Sequence, residues 1–297
     1  MANILMTSGT SGIGLVAANR MRAEPDVRLA IGVRRPVPYI TPTFQLDLAR
    51  LASVREFADK VVAWLDGKEI DALVLNAGVS FPHGNARTEE GLETTFVVNH
   101  LAQHLLLRLL LPSLSTGARV IFTSSSTHDP VHATLLPPPH HANALLLAHP
   151  ECDPERDTKA QAAGGRAYTS SKLCNVLTAQ VLRRLPAARD KQLRVAAYDP
   201  GATPGTGLLR NGNAVLRWAW WLLGTPIGKV VPRFGSAEQA GACLAALALG
   251  SVAIPKDSYY VSLVRKQLQW CAPSELAQDV AVADRLWNDS ETLAPLG

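Results

Sequence analysis

Thr7-Ser8-Gly9-Thr10-Ser11-Gly12-Ile13-Gly14 follows a short apolar run, Asn3 to Thr7, and leads into a helical pattern from Leu15. In a parallel α/β sheet the turn between the first strand and the first helix is where the backbone meets a pyrophosphate. Gly9, Gly12 and Gly14 let the main chain come close, and the following helix N-terminus offers N–H groups and a positive dipole end. Alone, the octapeptide reads equally as an ordinary glycine-rich turn. Its position in the first strand-to-helix turn favours dinucleotide binding, with Thr10, Ser11 and Ile13 as further contacts.

Working outward, short β-rich runs alternate with longer helical stretches. Strands are expected at Asn3 to Thr7, Arg28 to Val33, Thr43 to Leu46, Ala72 to Leu75, Arg119 to Ser124 and Arg194 to Tyr198. This rhythm predicts an α/β fold: a Rossmann-type, doubly wound parallel sheet flanked by helices, as a single domain over residues 1–297. The apolar helix Leu101 to Leu111 is weakly amphipathic, so it is expected to be buried or at a subunit contact. Residues 128–167, with Pro137-Pro138-Pro139 and then His140 and His141, read as a long insertion that helps to shape and cover a substrate pocket. A second irregular segment, around 203–232, carries Trp218, Trp220 and Trp221 and reads as a substrate lid. Those tryptophans fit a substrate or membrane contact and a core position equally well.

At the end of the second strand, where an acidic residue would accept the ribose hydroxyls of NAD, stand Arg34 and Arg35. Guanidinium groups suit a 2′-phosphate, which a carboxylate would repel, so NADP(H) is the expected cofactor.

Composition narrows the remaining classes. The chain has 297 residues, 47% hydrophobic and 18% charged, enough for one large core. Arg108 interrupts the leucine run Leu105 to Leu111, so no transmembrane segment is expected. With an apolar strand at the very start in place of a leader, the expectation is a cytoplasmic protein. Net charge is +4 without a dense basic run, which argues against a nucleic-acid partner. Cys152, Cys174, Cys243 and Cys271 form no CxxC pair, and all eight histidines lie between His83 and His149 without ligand spacing, so no metal is expected.

Tyr168-Thr169-Ser170-Ser171-Lys172 places a tyrosine and a lysine four apart, on one face of a helix. An ammonium beside a phenol lowers its pKa toward the range useful for proton transfer.

Together these ordered motifs resemble the short-chain dehydrogenase/reductase family across the whole chain. Thr7 to Gly14 matches its TGxxxGIG motif with Ser8 in place of the first glycine, and Leu75-Asn76-Ala77-Gly78 matches NNAG with the first asparagine lost. Asp47-Leu48 matches the adenine-contacting pair. The resemblance further implies a water-anchoring role for Asn99, carbonyl binding by Ser125 with Ser124 and Ser126 as alternatives, and a cofactor contact at Pro200-Gly201. The downstream threonine that touches the carboxamide would be Thr203 or Thr206.

More narrowly, Tyr168 to Leu177 is similar to retinol dehydrogenases and light-dependent protochlorophyllide reductases, which use NADPH on lipophilic substrates. The implied activity is NADPH-dependent reduction of a carbonyl on a bulky, apolar small molecule, a ketoreductase reaction. The implied catalytic set is Asn99, Ser125, Tyr168 and Lys172. C=C reduction and a non-catalytic NADP(H)-sensing regulator are the alternatives, and monomer or homodimer stays open.

Overall fold

The computed structural model describes residues 1–35, 42–132, 134, 136–203 and 235–297. Thr206, Trp218, Trp220, Trp221 and nearly all of the expected lid lie outside the described residues.

Among the described residues, eight strands form one sheet in the order β3-β2-β1-β4-β5-β6-β7-β8. They are β1 (Ala2–Thr7), β2 (Val27–Val33), β3 (Thr43–Gln45), β4 (Ile70–Leu75), β5 (Leu114–Thr123), β6 (Arg194–Asp199), β7 (Tyr260–Val264) and β8 (Gln267–Trp270). Seven run parallel and β8 turns back antiparallel on β7. The chain starts at β1, builds outward through β2 and β3, then crosses to the other side at β4. The strand ends on either side of that reversal form a crevice, the usual ligand position in open α/β sheets. Thr7, Leu75, Thr123 and Asp199 are the last residues of β1, β4, β5 and β6 and converge there.

The strands are nearly all apolar because both faces are covered. On one face α1 (Gly12–Ala23) packs against the helix Ala237–Leu249, with Ala17, Ala18 and Met21 meeting Ala240, Leu244 and Ala248. Gly241 permits this closeness, since a Cβ there would lie 2.5 Å from Val16. The other face holds α2 (Leu51–Leu65), a helical run Thr94–Leu110, the short helix α5 (Ala144–Ala148), the long helix α6 (Ala160–Leu182) and the C-terminal helix Val280–Leu293. The run Thr94–Leu110 passes from α3 (Thr94–Phe96) through a π-helical turn, Val97–Leu101, into α4 (Ala102–Leu110). Leu105, Leu106, Leu107 and Leu110 are all fully buried, which selects core over subunit contact for this segment.

Two features differ from the sequence reading. Strand β5 begins at Leu114, because a register shift opposite Ile70/Ala72 and Gly117 at φ +79° let the strand bend and continue. Helix α6 begins at Ala160, so Gly164 and Gly165 lie inside it and residues 160–167 belong to the helix, not to the insertion. Both glycines are contacts: a Cβ on Gly164 would come 2.5 Å from the Phe81 carbonyl oxygen, and one on Gly165 would come 2.8 Å from Pro137. The segment from Pro137 to Asp157 packs along α6 and meets it at Gly165, Arg166 and Thr169. It borders an open pocket of about 510 Å³ that Arg87 and Glu93 line from the other side, with His140 and His141 on its own wall. The stretch thereby braces the helix that carries the tyrosine and lysine.

The same core contains a stack of rings, Phe96, His100, His104 and Trp287, with centroids 5.3, 5.8 and 4.5 Å apart in succession. Burial pushes His100 down to about 3 and His104 well below the ordinary histidine value. Both stay neutral in the fold and take up a proton once unfolded, so their stabilising preference is intact above about pH 6.5 and is lost as pH falls toward 3. Each ring adds about 1.4 kcal/mol of destabilisation per pH unit in that window. Denaturant melts at pH 7.5 and 5 are expected to show a steep acid loss that His104→Leu makes shallower by roughly one proton. An unchanged slope in that variant contradicts the assignment.

Candidate active site

The glycine turn sits between β1 and α1. Ser8 adopts φ 64°, the left-handed conformation that favours glycine, and Gly12 adopts φ +53°. Ser8 thus occupies the backbone geometry of the glycine it replaces. The Ser8 carbonyl accepts from Asn76 Nδ2 at 2.9 Å, and a Cβ on Gly14 would meet that carbonyl oxygen at 2.1 Å. Gly9 abuts Ile31 and Ala18. Ser11 caps α1 without a side-chain hydrogen bond and no acidic residue occupies the first turn, so the N–H groups at Gly12, Ile13 and Gly14 keep their donor capacity. A bare, positively polarised helix start behind a glycine turn fits a pyrophosphate.

Thr7 locks the neighbouring strand end: its Oγ1 accepts from the amides of Asn76 and Ala77, each at 3.0 Å, and contacts Gln103 Oε1 at 3.3 Å. Arg34 and Arg35 are exposed just beyond β2, and no acidic side chain among the described residues pairs with them. The Asp47 carboxylate accepts from Ala49 N–H at 3.1 Å, shaping the turn into α2, and Leu48 is buried beside it.

Helix α6 delivers Tyr168 and Lys172 to the ends of β4 and β5. Lys172 is 3% exposed, and its ammonium donates to the Thr123 carbonyl at 2.9 Å. Its Nζ lies 5.6 Å from the Tyr168 ring centre. Gly78 makes room, since a Cβ there would stand 3.3 Å from that Nζ. Burial lowers Lys172 to about 8, with the Asp199 carboxylate pulling upward. Burial raises Tyr168 well above the ordinary phenol value; a hydrogen bond with Ser125 lowers it, and Asp199 raises it further.

Asn99 lies in the π-helical turn, and the extra residue per turn aims its amide at the strand ends. Its Oδ1 accepts from Val79 N–H at 2.7 Å, and its Nδ2 donates to the Val79 carbonyl and to Ser171 Oγ, both at 2.9 Å. Ser171 in turn donates to the Tyr168 carbonyl at 2.7 Å, so Asn99 ties the loop after β4 to the tyrosine's own turn.

Two of the three serines separate clearly. Ser124 Oγ is buried and committed to the Lys172 carbonyl at 2.9 Å, whereas Ser125 Oγ faces Tyr168. Gly201 adopts φ +68°, and Thr203 is buried close by in sequence.

Two residues hold structural roles that the sequence reading did not assign. His128 is buried, with Nε2 accepting from Ser274 N–H at 3.2 Å, which places its proton on Nδ1, donating to the Ser125 carbonyl at 2.7 Å. It thereby clips the serine's loop to the C-terminal segment. Asp199 ends β6 directly before Pro200 and is 1% exposed. The signal for it was a lone carboxylate closing an otherwise apolar strand.

A family model described as short chain dehydrogenase matches residues 2–133. The chain is 30% identical to protochlorophyllide reductase B of Hordeum vulgare over 319 aligned residues, covering 99% of this chain and 79% of that protein. It is 31% identical to the WW domain-containing oxidoreductase of Drosophila melanogaster, covering 95% of this chain and 62% of that protein, so it spans less than two thirds of that relative. A crystal structure of a protein from Mycobacterium paratuberculosis is similar with TM-score 0.68 at 25% identity, covering 99% and 93% of the two chains. The chain belongs to the short-chain dehydrogenase/reductase family, oxidoreductases that use nicotinamide cofactors.

The strained turn gives a direct test. A non-glycine residue held left-handed costs about 1–2 kcal/mol, part of which glycine's greater unfolded freedom offsets. Ser8→Gly is expected to stabilise the protein by about 1 kcal/mol in denaturant titration. A destabilised variant contradicts the turn as described.

Proposed function

We propose that this protein is an NADPH-dependent reductase of a carbonyl on a bulky, largely apolar molecule. The observation that carries the reading is the juxtaposition of Ser125, Tyr168 and Lys172 at the strand ends beside a glycine turn fit for a pyrophosphate. When bound, the nicotinamide supplies the hydride. Arg34 and Arg35 would bind the 2′-phosphate of the adenosine ribose, and the first turn of α1 the pyrophosphate. Asp47, Leu48, Asn76, Ala77, Gly78, Pro200, Gly201 and Thr203 are the remaining proposed cofactor contacts, with Thr206 the other candidate for the carboxamide.

Ser125 would hold the substrate oxygen and Tyr168 would deliver its phenolic proton to that oxygen. In the free protein the phenol is held firmly protonated by burial, the right starting state for an acid. Lys172 would stabilise the phenolate left behind and bind the nicotinamide ribose. Asn99 would position the water through which the proton is replaced. C=C reduction is the second reading, favoured by the 30% identity to a protochlorophyllide reductase. The regulator reading has no such support, since it gives Tyr168 and Lys172 no task.

Two outcomes follow. NADPH is expected to bind at least tenfold more tightly than NADH, about 1.4 kcal/mol, and an Arg34→Ala, Arg35→Ala double variant to lose that preference. Equal affinities measured by calorimetry contradict the cofactor choice. Tyr168→Phe is expected to keep NADPH binding while turnover falls by about 10² to 10⁴ on a carbonyl substrate found by screening ketones, aldehydes, quinones and enones for NADPH oxidation. Near wild-type turnover in that variant removes Tyr168 as proton donor and favours the C=C reading.

A further inference from the structure

Asp199 closes β6 after Val195-Ala196-Ala197-Tyr198 and is buried. Its Oδ1 accepts from Gly201 N–H at 2.9 Å and its Oδ2 from the Ser262 hydroxyl at 2.6 Å. These bonds hold the Pro200-Gly201 turn to β7. They do not require a charge: an asparagine would accept from Gly201 and donate to Ser262 in the same place. A carboxylate kept from water without an ion-pair partner is costly, so its charge needs another reason.

Its surroundings supply one. The titratable groups facing Asp199 are Tyr168 and Lys172 from α6, His128 after β5, Tyr198 beside it on β6, Tyr260 on β7 and Cys271 after β8. His128 is held neutral by burial, so Lys172 is the one cation among them at neutral pH. The ladder explains the proximity. Lys172 donates to Thr123 O, and Thr123 pairs across β5–β6 with Tyr198, the residue before Asp199. Burial pulls the ammonium toward neutrality and the carboxylate opposes it. Asp199 also directly precedes the turn proposed to touch the nicotinamide, whose oxidised ring is positive and whose reduced ring is neutral.

We propose that Asp199 is the fixed counter-charge of the site, a positioning residue that stands beside Lys172 at the β5–β6 strand ends and favours binding of the oxidised cofactor relative to the reduced one. The proposal rests on the site binding NADP(H). An added attraction of about 1.4 kcal/mol for the positive ring corresponds to tenfold in an equilibrium constant.

The test is Asp199→Asn, which keeps both hydrogen bonds and removes the charge, with binding of NADP⁺ and NADPH each titrated by calorimetry. The ratio of NADP⁺ to NADPH dissociation constants is expected to rise about tenfold over wild type. The alkaline loss of NADPH affinity is expected to begin at lower pH, because the ammonium loses its counter-charge. Ser262→Ala, which keeps the charge and loses one bond, is expected to leave the ratio unchanged. If Asp199→Asn does not fold, Asp199→Ser carries the same comparison. An unchanged ratio in a folded, charge-free variant, or an equal change in Ser262→Ala, overturns the counter-charge. Failure of the wild-type protein to bind either nucleotide is a different result, and overturns the cofactor reading together with the proposal.

Discussion

A single buried ammonium constrains the centre of this molecule. Lys172 sits in the interior with its ammonium donating to the Thr123 carbonyl, and a charge removed from water is tolerated only where fixed dipoles and charges replace the solvent. The parallel sheet provides them. At its C-terminal edge the last carbonyl of β5 points at α6, Asn175 reaches the same carbonyl at 3.3 Å, and Asp199 ends the adjacent strand. Gly78 leaves the space into which the ammonium fits. The helix cannot slide without dragging that charge out of register, so Tyr168, one turn earlier, is placed with it.

The rest of the architecture keeps α6 from moving. Asn99 and Ser171 tie its middle to the loop after β4, Ser124 holds the Lys172 carbonyl, and the C-terminal helix packs along its flank. The loop Phe81–His83 meets it at Gly164, and the proline-rich stretch braces it through Gly165 and the Arg166–Asp157 ion pair. Rigidity of this kind suits a proton donor, whose reach is set by tenths of an ångström.

Much of this was legible in the sequence. Each of the six expected strands has a counterpart, since apolar runs bounded by turns are strong signals when both sheet faces are covered. The glycine turn and the four-residue spacing of Tyr168 and Lys172 were equally readable. The β7–β8 hairpin was not, because its turn uses Arg265 and Lys266 at φ 47° and 73°, where glycine or asparagine normally announces the conformation. Gly164 and Gly165 fall in the stretch expected to belong to the insertion, but they are contact points inside a helix held by packing. Asp199 and His128 act through partners 63 and 146 residues distant, Ser262 and Ser274, and no local pattern encodes such pairs.

The central claim is that Tyr168 is a buried acid whose proton becomes transferable only when the cofactor's positive ring joins Lys172 beside it. Phenolate absorbance during a pH titration, taken as the difference between wild type and Tyr168→Phe, reads that proton directly. Without nucleotide, no Tyr168 phenolate is expected up to alkaline pH; with saturating NADP⁺, it is expected to appear at markedly lower pH. A Tyr168 titration that NADP⁺ leaves unmoved would contradict the account.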